Sequence, residues 1–85
     1  MQIIKINVDN KEYQIEWALS EYFDELKDMK FMLNEVAADQ ISQITNLSDT
    51  AKILLSAVAG AVIQHLIDRD CPIDSIFNSG YFVIE

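Results

Sequence analysis

"ILLSAVAGAVIQHLI", residues 53–67, runs fifteen residues without a formal charge, His65 taken as neutral, in a chain whose net charge is −8. Its reading decides the fold, because such a run suits a membrane span, a contact for a partner helix, or the core of a small domain. A spanning helix needs about 20 apolar residues. This run is shorter, Lys52 and Asp68 close it at both ends, and Ser56, Gln64 and His65 interrupt it. It is therefore expected to be a core helix. Ser48, with Asp49 just inside, is a good N-cap, and the helix should run to about Arg69. Cys71-Pro72 stops it, since proline lacks the N–H and restricts the residue before it.

The middle of this helix is small: Ser56, Ala57, Ala59, Gly60 and Ala61. Glycine costs about 1 kcal/mol relative to alanine in an exposed helix interior. Gly60 therefore predicts a backbone packed close to it, from the chain's own first helix, a second copy or a target.

Working outward toward the N-terminus, "IIKINV" and "EYQIEW" read as a β-hairpin. Ile4, Ile6 and Val8 alternate with Lys5 and Asn7, and Tyr13, Ile15 and Trp17 alternate with Glu12, Gln14 and Glu16. Asp9-Asn10 between them tolerates the positive φ of a tight turn. A first helix is expected from a Ser20 cap, with Glu21, Asp24 and Glu25 favourably near its positive end. Leu19, Tyr22, Phe23, Leu26, Met29, Leu33, Val36 and Ala37 form its apolar stripe. Phe31 and Met32 do not fit that stripe. The periodicity continues through Ile41 and Ile44, with a break or kink expected around Asp39-Gln40.

Toward the C-terminus, Ile73, Ile76 and Phe77 suggest one helical turn and Asn78-Ser79-Gly80 a turn. "YFVIE" then reads as a closing strand. The expected architecture is a single compact α+β domain over residues 1–85: an N-terminal β-hairpin, a two-helix hairpin, and a C-terminal strand completing a small antiparallel sheet.

Composition narrows the function. Fourteen acidic against six basic side chains repel nucleic-acid backbone and anionic lipid, so direct nucleic-acid binding and membrane association are not expected. One cysteine, Cys71, cannot form an internal disulfide and fits a reducing cytoplasm. Met1 leads straight into a strand pattern, so no signal peptide is expected.

One histidine and one cysteine leave no nucleophile–base–orienter set, so no catalytic residue is assigned. His65 reads as a histidine at the edge of the core. Asp68, Asp70 and Asp74 in "DRDCPID" lack the glycine and terminal glutamate of a calcium loop, and zinc would need more Cys or His ligands. They read as helix-end residues, and neither metal nor cofactor is expected.

What remains is binding. Tyr81 and Val83 point to one side of the last strand and Phe82 and Ile84 to the other, so both faces are apolar. Ile3, Phe31 and Met32 add to the surplus. Such a patch marks association, with a protein partner and a homodimer expected. The candidate contact is Phe31, Met32, Tyr81 and Val83, or an acidic helix face carrying Glu21, Asp24, Glu25 and Asp28. The alternative is a nucleic-acid mimic, in which that face, extended by Glu35 and Asp39, occupies a basic groove; Lys27 and Lys30 dilute it. A third reading is a small-ligand binder around His65, Trp17 and Tyr13.

The opening "IKINVDNKEYQIEW", then "LKDMKFML" and "ITNLSDTAKILLSAV", resembles the start of the BTB/POZ adaptor family. Met32-Leu33, Asn46-Leu47 and Ile53-Leu54 fill the family's places over about two-thirds of the chain, although the first helix is too long and the later helices are missing. The resemblance implies a protein–protein adaptor. The hairpin-then-helix start is also similar to that of some phage-encoded accessory proteins, and an 85-residue domain with no catalytic set fits an inhibitor or adaptor of phage or mobile-element kind.

Overall fold

Alternation at the start of the chain builds the hairpin that organises everything after it. In the computed structural model, which describes residues 2–18, 23–36 and 38–85, β1 (Gln2–Val8) pairs antiparallel with β2 (Lys11–Trp17). The turn residues Asp9 and Asn10 have φ of 50° and 65°. Two consecutive positive values are those of the two-residue turn whose twist matches paired strands.

The following elements are α1 (Phe23–Leu26), β3 (Lys30–Met32), α2 (Ala38–Ile41), α3 (Asp49–Ile67), α4 (Ile73–Ser79) and β4 (Tyr81–Ile84). The sheet is antiparallel with strand order β2-β1-β4-β3. The protein is thus α+β, with helices between the strands and the hairpin and closing strand where the alternation places them.

The long first helix does not form. After α1, Asp28 takes a left-handed φ of 63° and its N–H donates to the Ile84 carbonyl, turning the chain onto the sheet. Lys30–Met32 then adds as an edge strand beside β4. The reason lies in the two residues that fit no helical stripe. In a strand, Phe31 points inward, buried, with its ring 5.2 Å from that of Phe82, while Met32 points outward. The break expected near Asp39-Gln40 is instead a four-residue helix, α2, whose Ile41 is buried. The proposed cap Ser20, the stripe residues Leu19, Tyr22 and Ala37, and Glu21 lie outside the described residues.

α3 starts as expected. The Ser48 hydroxyl accepts from the Ala51 N–H at 3.2 Å. A second group completes the cap: the Glu25 carboxylate accepts from the Ser48 N–H at 3.0 Å and from its hydroxyl at 3.1 Å. A carboxylate there also faces the positive end of the helix. At the other end, Cys71 N–H donates to Leu66 carbonyl and Asp70 N–H to Ile67 carbonyl, with Asp70 at φ 60°. This is a Schellman closure in which aspartate fills the left-handed place usually given to glycine.

One face of α3, through Ala51, Leu55, Val58, Ala59, Val62 and Leu66, is buried. It covers the inner face of the sheet, where Ile4, Ile6, Val8, Phe31, Leu33, Phe82 and Ile84 are buried. Each fully buried aliphatic side chain in this layer contributes about 1.5–3 kcal/mol. Leu26, Ile41, Leu47 and Ile76 close the core at its margins.

Gly80 caps the end of α4 and directly precedes β4, so the expected turn is only this one junction. A side chain there would meet the Ile76 carbonyl and, at 2.6 Å, Leu33. α3, at 19 residues and a mean hydropathy of 1.6, is long and apolar enough by length and composition to cross a membrane, and 33% of that stretch is buried inside the fold. The Cα radius of gyration is 12.1 Å.

Candidate functional site

The sheet is covered by α3 on one face and by no described helix on the other. Register places the side chains of that open face in columns. One column crosses Glu12, Asn7, Tyr81 and Met32, and the next crosses Gln14, Lys5, Val83 and Lys30. Ile3 and Glu85 extend it at one end, their backbones bonded to each other at 2.9 and 2.8 Å.

Three of the four apolar candidates, Met32, Tyr81 and Val83, therefore share one surface, each half-buried. The fourth does not join them. Phe31 is turned into the core, so it supports the strand rather than offering a contact.

Charge is arranged around this apolar strip. The Lys30 ammonium lies 4.0 Å from the centre of the Tyr81 ring. Lys5 and Glu85 form an ion pair at 3.0 Å. That hydrogen bond and charge, with a smaller contribution from Glu12, raise the Lys5 pKa above its ordinary value. A shallow depression of ≈ 160 Å³ lies among Lys5, Asn7, Glu12, Tyr81, Val83 and Glu85. A second cleft of ≈ 520 Å³ runs beside β3, with Met29, Met32, Val36 and Ile44 among its walls.

The acidic candidates among the described residues do not share one helix face. Asp24 and Glu25 belong to the single-turn α1, Glu25 is engaged at the α3 cap, and Asp28 sits in the turn to β3. Glu35 lies in a turn and Asp39 on α2, so the row needed to imitate a phosphate backbone is split over four segments. That geometry removes the periodicity on which the acidic-face reading rested.

His65 projects from α3 toward the hairpin, where its ring meets Tyr13 edge-on at 6.3 Å. Partial burial lowers its pKa from the ordinary 6.5; Arg69 lowers it further and Asp68 opposes. Trp17 stands farther along β2 on the same side as Tyr13. Cys71 is half-buried at the helix end.

Asp68 accepts from the Gln64 side chain at 2.8 Å, and Asp70 serves the helix closure. Among the described residues, no group of three or more His, Cys, Asp or Glu is placed to hold one metal ion.

Gly60 also departs from expectation. Nothing lies within 4 Å of where its side chain would begin, so it is not a close-packing point within the chain. It sits on the outward face of α3 with the exposed Ile53 and Ile67.

Two structural features of the site had no motif. The Glu25 cap depends on a contact across 23 residues. The Lys5–Glu85 pair depends on β4 lying against β1, which no local pattern reports. Comparison with known protein families, with curated proteins and with solved structures finds no significant match.

Proposed function

We propose that this protein is a non-catalytic regulatory protein, an inhibitor or adaptor that works in the cytoplasm by docking another protein on the open face of its sheet. The observation that supports this most is the convergence of Met32, Tyr81 and Val83 on a surface that no described helix covers. An aromatic anchor flanked by aliphatic residues and rimmed by both signs of charge has the make-up of an interface centre. The action would be occlusion, since the face carries no chemistry of its own. Two copies would meet along the uncharged outer side of α3, at Ile53, Gly60 and Ile67.

The test is a comparison of captures from the native host lysate by the wild-type chain and by Tyr81→Ala and Val83→Lys variants. A partner held by wild type and lost by both variants, with their melting curves intact, supports the reading. Equal capture by all three rejects the sheet face as the contact. Light scattering at micromolar concentration checks the dimer, and a clean 9.7 kDa species would exclude it.

A further inference from the structure

β2 is an edge strand, and among the described residues one side of its backbone is open. The paired bonds between Ile3 and Glu85 set the phase of the ladder. On an antiparallel sheet, residues alternate between bonding one neighbour and the other. Ile3, Lys5 and Asn7 thus bond toward β4, and Ile4, Ile6 and Val8 toward β2. Their partners Ile15, Tyr13 and Lys11 bond back, which turns the N–H and C=O groups of Glu12, Gln14 and Glu16 outward. All three residues are exposed. The edge is seven residues long and contains no proline, so nothing in the backbone blocks an added strand.

We infer that this edge receives an extended segment of a partner protein that alternates basic and apolar side chains. The inference rests on the protein-docking reading above and names the chemistry of the partner. Side chains of an added strand lie beside those of β2 on both faces. On the outer face they would meet Glu12 and Glu16, which call for Lys or Arg. On the inner face they would meet Tyr13, Ile15 and Trp17, which are only half-buried and call for apolar residues. Backbone bonds supply affinity in this mode, and the alternating side chains supply selection.

A second copy of the chain does not fit the same edge. Antiparallel pairing of β2 with itself about Gln14 sets Glu12 against Glu16 twice, and like charges directly opposite are unfavourable. The glutamates that prevent self-pairing are the ones that select a basic strand.

The experiment uses the full chain and three synthetic eight-residue peptides: alternating Lys and Val, alternating Glu and Val, and the Lys/Val composition in two blocks. Backbone NMR shifts and amide exchange are followed during titration. The Lys-Val alternating peptide should shift and protect the amides of Glu12, Gln14 and Glu16, at least tenfold more tightly than either other peptide. Gln14→Pro removes an outward N–H without touching the bonds to β1, and should abolish that protection while the melting curve stays cooperative. Glu12→Lys with Glu16→Lys should transfer the preference to the Glu-Val peptide, which keeps the test decisive if the proline variant fails to fold. Equal binding of the blocked peptide, shifts confined to other surfaces, or a doubled mass from β2 self-pairing would each overturn the inference. Failure here with partner capture still sensitive to Tyr81 would leave the sheet-face reading standing.

Discussion

Ser48 and Glu25 act as one unit although 23 residues separate them. Serine bonds the first turn of α3 and the carboxylate bonds the serine, so removing either weakens the other. Ser48→Ala is expected to cost about 1 kcal/mol. With Glu25→Ala added, the combined loss should fall short of the sum by about 0.5 kcal/mol or more, as for residues in one network; denaturant unfolding of the three variants measures this. His65 gives a second prediction at this scale. Its folded pKa lies below its ordinary 6.5, so the unfolded chain takes up the proton more readily. Its contribution to stability is fully present above about 6.5 and declines as pH falls through the folded value. A His65→Gln variant should show a flatter dependence of melting temperature between about pH 7 and 5.

At the scale of elements, β3 depends on Phe31. Burial of that ring against Phe82 is what holds Lys30–Met32 on the sheet. Phe31→Ala should cost about 3–5 kcal/mol, whereas Met32→Ala on the outer face should change stability little and should reduce partner capture. Unfolding curves beside the capture assay separate the two roles.

The hairpin, α3 with its cap and stop, and β4 were legible because each carries its period or punctuation locally: alternation in residues 3–8 and 12–17, Ser48, Pro72, and the alternating "YFVIE". β3 was not. The residues around it keep a helical spacing, and three residues are too few to show a period of two against that background. Only the misfit of Phe31 and Met32 signalled it. Of the candidate site, Met32, Tyr81 and Val83 were readable as surplus apolar residues. The acidic row followed from reading residues 20–38 as one helix, and its described members are divided among α1, α2 and the turns.

For the whole molecule, charge sets the main dependence on conditions. A net charge of −8 on a fold whose Cα radius of gyration is 12.1 Å produces self-repulsion that compactness must overcome. Raising salt from about 20 to 200 mM shortens the screening length past about 10 Å. The melting temperature should therefore rise with salt, and a falling one would show that specific ion pairs dominate instead.

β4 lies between β1 and β3 yet follows both in the chain. The hydrogen bonds between Asp9 and Ser79, 70 positions apart, belong to the same arrangement. During synthesis the hairpin and the Phe31 strand emerge early but have no common neighbour. The sheet is completed by inserting its last strand into a slot, not by adding it to a rim. Folding should thus be a late, concerted event whose rate is set by long-range closure. Until those final residues leave the ribosome, the inner edge of β1 remains open to pairing with other nascent chains.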